Sequence, residues 1–329
     1  MKNEHPHSIL TLENLSIGYE KPLLNGINAK IQKGEIVLLA GKNGSGKTTL
    51  LKTIFKEIHA LHGKIKILDQ DLQQISLSEI GRFLSVILSE KTMSPSLKVL
   101  DLLELGRYPY KKWYQRLSKE ENRNIAEILD LLDLEKYKNF NINELSDGNL
   151  QKALTGRALV QDCPLMIMDE PTSHLDVVNK LKIIKLFKYL AKEKGKTLLF
   201  TSHDLNFGLS ISDQLWLIKN GQFYAGYTED TARENDLYEY FSDHEITFDY
   251  DSNEYNFQND IKKSGISITG NSKSLFWLKK ALLRNQIDIQ QNAETSISEK
   301  NASFEVQKNN QIFTFSKIQE VLDFLTRNS

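Results

Sequence analysis

Lys33-Gly-Glu-Ile-Val-Leu-Leu-Ala-Gly-Lys-Asn-Gly-Ser-Gly-Lys-Thr48 is the stretch on which the fold turns. Glu35 to Ala40 is an apolar run of strand length and Gly41 to Gly46 is a glycine-rich turn. A helix is expected to run from Lys47 toward Ala60. Gly41 to Thr48 fits G-x-x-x-x-G-K-[ST], placed after a buried strand and at a helix start, the setting in which that spacing cradles phosphate. Glycines at 41, 44 and 46 let backbone N–H groups around Asn43 and Ser45 curl about an anion that the helix N-terminus favours. Lys47 then reaches the β/γ-phosphates and the Thr48 hydroxyl can ligate Mg²⁺.

Further along, Leu165-Met-Ile-Met-Asp169-Glu170 sets two carboxylates at the end of an apolar strand. Asp169 is assigned to the metal and Glu170 to the general base that orients attacking water. His203, in Thr201-Ser-His-Asp204, follows the next buried strand, Thr197 to Thr201, at the same sheet edge, from where it contacts a γ-phosphate or positions Glu170. Leu145-Ser-Asp-Gly-Asn-Leu-Gln151 opens another helix, a second anion-receptive N-terminus whose plain alternative is capping by Ser146 or Asp147.

These motifs sit in a chain of 329 residues, enough for roughly two domains. Hydrophobic residues are 40% and charged residues 26%, the balance of an ordinary water-soluble globular protein. Basic and acidic residues nearly cancel, to a net charge of −1, so no global positive field argues for nucleic acid or an anionic membrane surface. Cys163 stands alone, which fits a reducing compartment and favours the cytoplasm. Met1 to His7 lacks the apolar core of a signal peptide, and Ile36 to Ala40 is far shorter than a membrane-spanning helix, so the chain is expected neither to be exported by that route nor to span a bilayer.

No fixed-period repeat is visible. Strands are expected at Gly63 to Leu68, Leu165 to Met168 and Thr197 to Thr201, helices at Glu120 to Leu132 and Val178 to Lys194, and a hairpin from Gln214 to Ala225 around Asn220-Gly221. Strands alternating with helices imply a mainly parallel sheet. Beyond about residue 235 the texture changes, dividing the chain into residues 1–235 and a small α+β domain at 236–329. In the latter, Ile246, Phe248 and Tyr250 alternate with polar residues, as do Ile266 and Ile268. One helix follows Gly270-Asn271, a hairpin turns at Lys308 to Asn310, and a second helix opens with a Ser316-x-x-Gln319 capping box.

The ordered motifs resemble those of the ATP-binding subunits of ABC transporters over roughly residues 8 to 235. Gly41 to Thr48 is similar to the Walker A, Leu145 to Gln151 to the signature motif and Leu165 to Glu170 to the Walker B. Ser173-His-Leu-Asp176 is similar to the D-loop, and His203 to the switch histidine. The resemblance implies a P-loop NTPase α/β domain with a helical subdomain. It implies ATP and Mg²⁺ held by Gly41, Asn43, Gly44, Ser45, Gly46, Lys47, Thr48 and Thr49, with Tyr19 stacking on adenine unless it is a plain strand tyrosine. It also implies a second ATPase subunit, a homodimer in which Ser146 and Gly148 complete the partner's site.

Two departures stand out. Asp147 replaces the usual glycine of the signature and reads as a tolerated helix cap, and Ser89 or, in preference, Glu90 replaces the usual Q-loop glutamine, with Glu90 able to coordinate Mg²⁺ or water through oxygen. Gly106-Arg-Tyr-Pro-Tyr110 with Trp113 is similar to importers of iron-siderophores, haem and cobalamin. The expected function is the ATPase subunit of such an importer, cytoplasmic and peripheral on the inner membrane face, touching the membrane only through separate permease subunits and binding no nucleic acid. The rivals are a soluble ABC-type ATPase and an ATPase with a ligand-sensing C-terminal module.

Overall fold

The computed structural model describes residues 8–88, 96–111, 115–173, 175–242, 246–249, 254–257, 263–285, 287–290 and 293–327. Its chain divides into two compact units, Met1–Phe241 and Ser242–Ser329.

The first unit opens with β1 (Ser8–Gly18) and β2 (Pro22–Gln32), an antiparallel pair, followed by β3 (Ile36–Gly41) and α1 (Lys47–Ile54). α1 is shorter than the expected run to Ala60, because Phe55 closes it and Lys56 turns into the left-handed region at φ 65°. Next come β4 (His62–Ile67), β5 (Gln70–Asp71), α2 (Leu77–Ile80) and β6 (Leu84–Ile87). The helical part follows as α3 (Val99–Glu104), α4 (Lys119–Leu131) and α5 (Asp147–Gln161). The chain then returns through β7 (Leu165–Met168), α6 (Val177–Lys192), β8 (Thr197–Thr201), α7 (Leu205–Leu209) and the hairpin β9 (Gln214–Lys219) and β10 (Gln222–Tyr227). The unit closes with α8 (Thr228–Glu234) and α9 (Leu237–Phe241).

Six strands form one sheet in the order β10-β9-β3-β8-β7-β6, with every pair parallel except the β9–β10 hairpin. The strands β3, β7, β8 and β9 are buried on both faces, which is why they read as nearly unbroken apolar runs, whereas the edge strand β10 is largely exposed. Ile36, Leu38 and Ala40 of β3 join one core with Met166, Met168, Leu198 and Phe200, whereas Val37 and Leu39 join the other with Leu165, Ile167, Leu199 and Trp216. That second core is closed by the antiparallel sheet β2-β1-β4-β5, of which only β4 corresponds to a strand expected from the sequence pattern, at 63–68.

α9 shifts the boundary. Leu237 is fully buried in the first unit's core, with Tyr240 and Phe241 packed against it, so residues 236–241 belong with the nucleotide-loop unit and the division falls six residues beyond the one expected at 235.

The second unit holds a two-stranded ribbon, β11 (Ile246–Asp249) with β12 (Glu254–Phe257), and a five-stranded sheet. Tyr250, expected to extend the first of these strands, lies outside the described residues. The remainder of the unit runs β13 (Lys263–Thr269), α10 (Lys273–Arg284), β14 (Ile287–Ile289), β15 (Thr295–Lys300), β16 (Ser303–Lys308), β17 (Gln311–Phe315) and α11 (Ile318–Arg327), its five strands forming the sheet in the order β14-β13-β15-β16-β17. Leu275, Leu278 and Leu282 of α10 and Val321 and Leu325 of α11 bury against Ile266, Ile297, Phe304 and Val306. The β16–β17 turn uses Asn309 and Asn310, both left-handed at φ 52° and 61°, the pair that a two-residue hairpin demands. α11 is capped one residue later than expected: Glu320, rather than Gln319, accepts from Lys317 N at 3.2 Å and Ser316 N at 3.1 Å. Ile318 begins the helix, so Glu320 occupies the third helical position that reaches back to the cap. Among the described residues no helix is long and apolar enough to cross a membrane.

Candidate functional site

In the parallel sheet β3, β8 and β7 are adjacent, so the loops leaving their C-terminal ends meet at one edge. From β3 comes the glycine turn and α1, from β7 come Asp169 and Glu170, and from β8 come Thr201 and His203.

The turn is shaped to receive something. Gly46 sits at φ 110°, and a Cβ there would come within 2.8 Å of Leu23 Cδ2, so only glycine fits. No side chain caps α1, which leaves its first N–H groups without an internal acceptor. Ser45 Oγ is buried with no hydrogen-bond partner in the chain, and an anion's oxygen at the turn would satisfy it. Lys47 folds back across the turn, its Nζ donating to Gly41 O at 2.8 Å and Lys42 O at 3.2 Å. Burial holds the Lys47 ammonium below its usual range, against the pull of Glu170 and Asp169.

The carboxylates are organised by Thr201, whose hydroxyl donates to Asp169 Oδ1 at 2.7 Å and accepts from Glu170 N at 2.9 Å. Glu170 adopts φ 53°, an uncommon backbone for a residue with a side chain and one that tends to persist where surroundings over-determine it. Its Oε1 lies 3.1 Å from His203 Nε2. Burial raises the Glu170 carboxyl above the ordinary carboxylate range and nearby Asp169 adds to this, while His203 and Lys47 oppose it.

Asn43, Gly44, Gly46, Lys47, Thr48, Thr49, Asp169, Glu170 and His203 line one cavity of about 300 Å³, together with Leu23. The structure therefore gathers most of the expected nucleotide and catalytic residues. Leu23 and Thr201 are additions: a leucine carries no chemical signal, whereas a threonine at a strand end, two residues before His203, does. Gly41, Ser45, Tyr19, Ser146 and Gly148 are not among the residues lining this cavity. Tyr19 follows β1 with 67% of its surface exposed. Ser146 caps α5, its side chain accepting from Asn149 N at 3.4 Å, with Asp147 in the first turn. Gly148 faces α6 so closely that a Cβ would lie 3.0 Å from Asn179 Nδ2. The metal-ligand assignment to Glu90, its alternative Ser89, and Trp113 and His174 lie outside the described residues.

The pattern matches known proteins along most of the chain. Residues 24–173 match the ABC transporter family, and residues 262–326 match the iron ABC transporter C-terminal domain. An uncharacterized ABC transporter ATP-binding protein of Methanocaldococcus jannaschii is 34% identical over 236 residues, covering 70% of this chain and 81% of that protein. The iron(3+)-hydroxamate import ATP-binding protein of Bacillus subtilis is 32% identical over 213 residues, 64% of this chain and 79% of its own. Among solved structures, a dimeric post-hydrolysis ATP-binding cassette bound to ADP and phosphate superposes with a TM-score of 0.58 at 27% identity, covering 67% of this chain and 98% of that one.

Proposed function

This chain belongs to the ABC transporter ATP-binding proteins, and from that premise we propose that it hydrolyses ATP to drive import of an iron chelate of the siderophore class through separate permease subunits. The observation that carries the hydrolytic part is the meeting of Lys47, Asp169, Glu170 and His203 at the mouth of an uncapped helix, beside the orphaned Ser45 hydroxyl. The iron chelate rests on the C-terminal match to an iron transporter domain and on relatives such as the iron(3+)-hydroxamate importer subunit.

In the proposed chemistry the turn from Gly41 to Gly46 and the first N–H groups of α1 bind the phosphates, and Lys47 exchanges its two backbone acceptors for phosphate oxygens. Tyr19, exposed at the end of β1, offers a ring for the base. Glu170 takes the proton of the attacking water, and His203 holds its carboxylate in place. The raised carboxyl brings the base nearer the operating pH, where proton transfer is more effective. Thr48 and Asp169 supply hard oxygen donors on the cavity wall that fit Mg²⁺, which when bound neutralises phosphate charge. Ser146 and Gly148 serve the nucleotide of a second subunit, because they do not line the cavity of their own.

The trans arrangement is tested by mixing Ser146→Arg with Lys47→Ala, each inactive alone. Recovery of turnover in the heterodimer is expected, since one composite site is intact, and a heterodimer with no recovery counts against it. The iron reading is tested by uptake of labelled ferric hydroxamate in cells carrying either the wild-type or the Glu170→Gln chain; equal uptake would reject it.

A further inference from the structure

α10 of the second unit has two faces that ask for different partners. Leu275, Leu278, Ala281 and Leu282 are buried, and the three leucines enter the unit's core, which accounts for its inner stripe. Outward, Lys273, Trp277, Lys280 and Arg284 follow one another at the 4-3-4 spacing of a single helical stripe, and Phe276 and Leu283 flank it two turns apart on the same side. Phe276 is 50% exposed, Trp277 63% and Leu283 41%, and what sets them apart is their grouping on one side of a single helix. The two rings stack edge to face with centroids 5.3 Å apart, and Lys280 Nζ lies 5.8 Å from the Phe276 ring. Between Lys273 and Arg284 the helix carries four cations and no carboxylate, in a chain whose net charge is only −1.

From this surface we infer that α10 rests on an anionic bilayer face, its lysines and arginine against lipid phosphates and Trp277 and Phe276 in the headgroup layer. Three features select a bilayer over a protein groove. Phe276 and Trp277 keep half or more of their surface exposed, so they suit a deformable apolar medium. Cations and large rings are interleaved along one side of the helix, which suits a boundary where charge and hydrocarbon lie within one side-chain length. Tryptophan is the side chain whose apolar body and N–H settle at that depth. The helix uses its leucines for its own core, so the contact is shallow and reversible rather than an anchor. The proposed function enters only in placing the chain near a membrane, and this direct contact departs from the expectation that the chain touches the membrane through permease subunits alone.

The test uses the full chain without ATP or permease, so its failure and the failure of the importer reading are separate results. Flotation is compared on vesicles of phosphatidylcholine and of phosphatidylglycerol mixed with phosphatidylcholine. Binding is expected on the anionic vesicles alone and to weaken as salt rises. Lys273→Gln with Arg284→Gln should lower it about 25-fold, at about fivefold per cation. Trp277→Ser should lower it while leaving ATP binding and the thermal midpoint unchanged, since the ring is exposed. Brominated phosphatidylglycerol should quench the wild-type chain's fluorescence more than that of Trp277→Phe. Equal binding to both vesicle types, no binding to either, or binding indifferent to these substitutions would overturn the inference. Capture by a purified permease in neutral lipid, with no response to anionic vesicles, would make the face a protein contact and overturn it as well.

Discussion

Two helices of the first unit begin with glycine-bearing turns, and they end their first turns in opposite states. α1 starts behind Gly46 with no side-chain cap, and Ser45 Oγ beside it is buried without a partner. α5 starts behind Ser146, whose hydroxyl already accepts from Asn149 N, with the Asp147 carboxylate in its first turn. An uncapped start costs stability that a bound anion restores, and so it is poised for one. A self-capped start with its own carboxylate is content alone, and any phosphate must compete with Asp147 for the positive end of the helix. The first end is built as a receptor; the second satisfies itself, and only under the proposed two-subunit arrangement does it gain a further role.

The largest way to break this contrast is at the receptor end. Glu170→Gln should cut steady-state ATP turnover by about 10²–10⁴-fold while ATP affinity stays, because the base is lost and the cradle is kept. Undiminished turnover would remove Glu170 from the chemistry. Lys47→Ala comes next: losing a charged donor should weaken ATP binding by about 10–100-fold, read by fluorescent-nucleotide titration. Unchanged affinity would mean that the Lys47 contacts with Gly41 and Lys42 are its whole role.

The α5 end should respond more gently and with two signs. Ser146→Ala should cost about 1 kcal/mol in chemical denaturation through the lost cap. Asp147→Gly should cost about 0.3–1 kcal/mol of helix stability yet raise ATP-driven dimerisation, read by size exclusion with the Glu170→Gln background, because a carboxylate leaves the phosphate's path. A fall in dimerisation would show that Asp147 helps rather than hinders.

The smallest effect is on stability against pH. Burial holds the Glu170 carboxyl above its ordinary value, so the folded chain keeps that proton longer than the unfolded one. Stability is then lost as pH rises from the ordinary carboxylate range through the folded value. Above that range Glu170→Gln should melt higher than the wild-type chain, and below it the two should converge. A wild-type chain more stable than the variant at neutral pH would show that the ion pairing to His203 and Lys47 outweighs burial.

Much of the site is legible in the sequence alone, and the reason is locality. A glycine turn between an apolar run and a helix is written in consecutive residues, so Gly41 to Thr48 declares both its backbone and its chemistry. Asp169 and Glu170 announce themselves because a four-residue apolar strand ends just before them. The hairpin at Asn309-Asn310 is visible for the same reason. Weaker local signals mislead: periodicity carries α1 past Phe55, where the chain in fact turns, and Ser316-x-x-Gln319 mimics a capping box whose acceptor is Glu320. The strands β1, β2, β14 and β15 are not among those the pattern predicts; β1 and β2 pair with register shifts that break simple alternation, and β14 is only three residues long.

The order of residues supplies the inventory: a phosphate-type turn, paired carboxylates after one strand, a histidine after another, a second helix start with its own cap, and a change of texture beyond residue 235. How these pieces touch is a matter of tertiary packing. Parallel register sets Met168 beside Phe200 and Leu39 beside Thr201, and so places Thr201 where it bridges Asp169 and Glu170. Packing of Leu237, Tyr240 and Phe241 carries the boundary to 241. Packing seats the periodic stripe Leu275, Leu278 and Leu282 of α10 in the second unit's core, and so leaves Phe276 and Trp277 outward. Short-range pattern encodes backbone conformation within a turn or two. Partners far apart in the chain, like Glu170 and Thr201 at a separation of 31, are chosen by sheet order and core packing, which no local window contains.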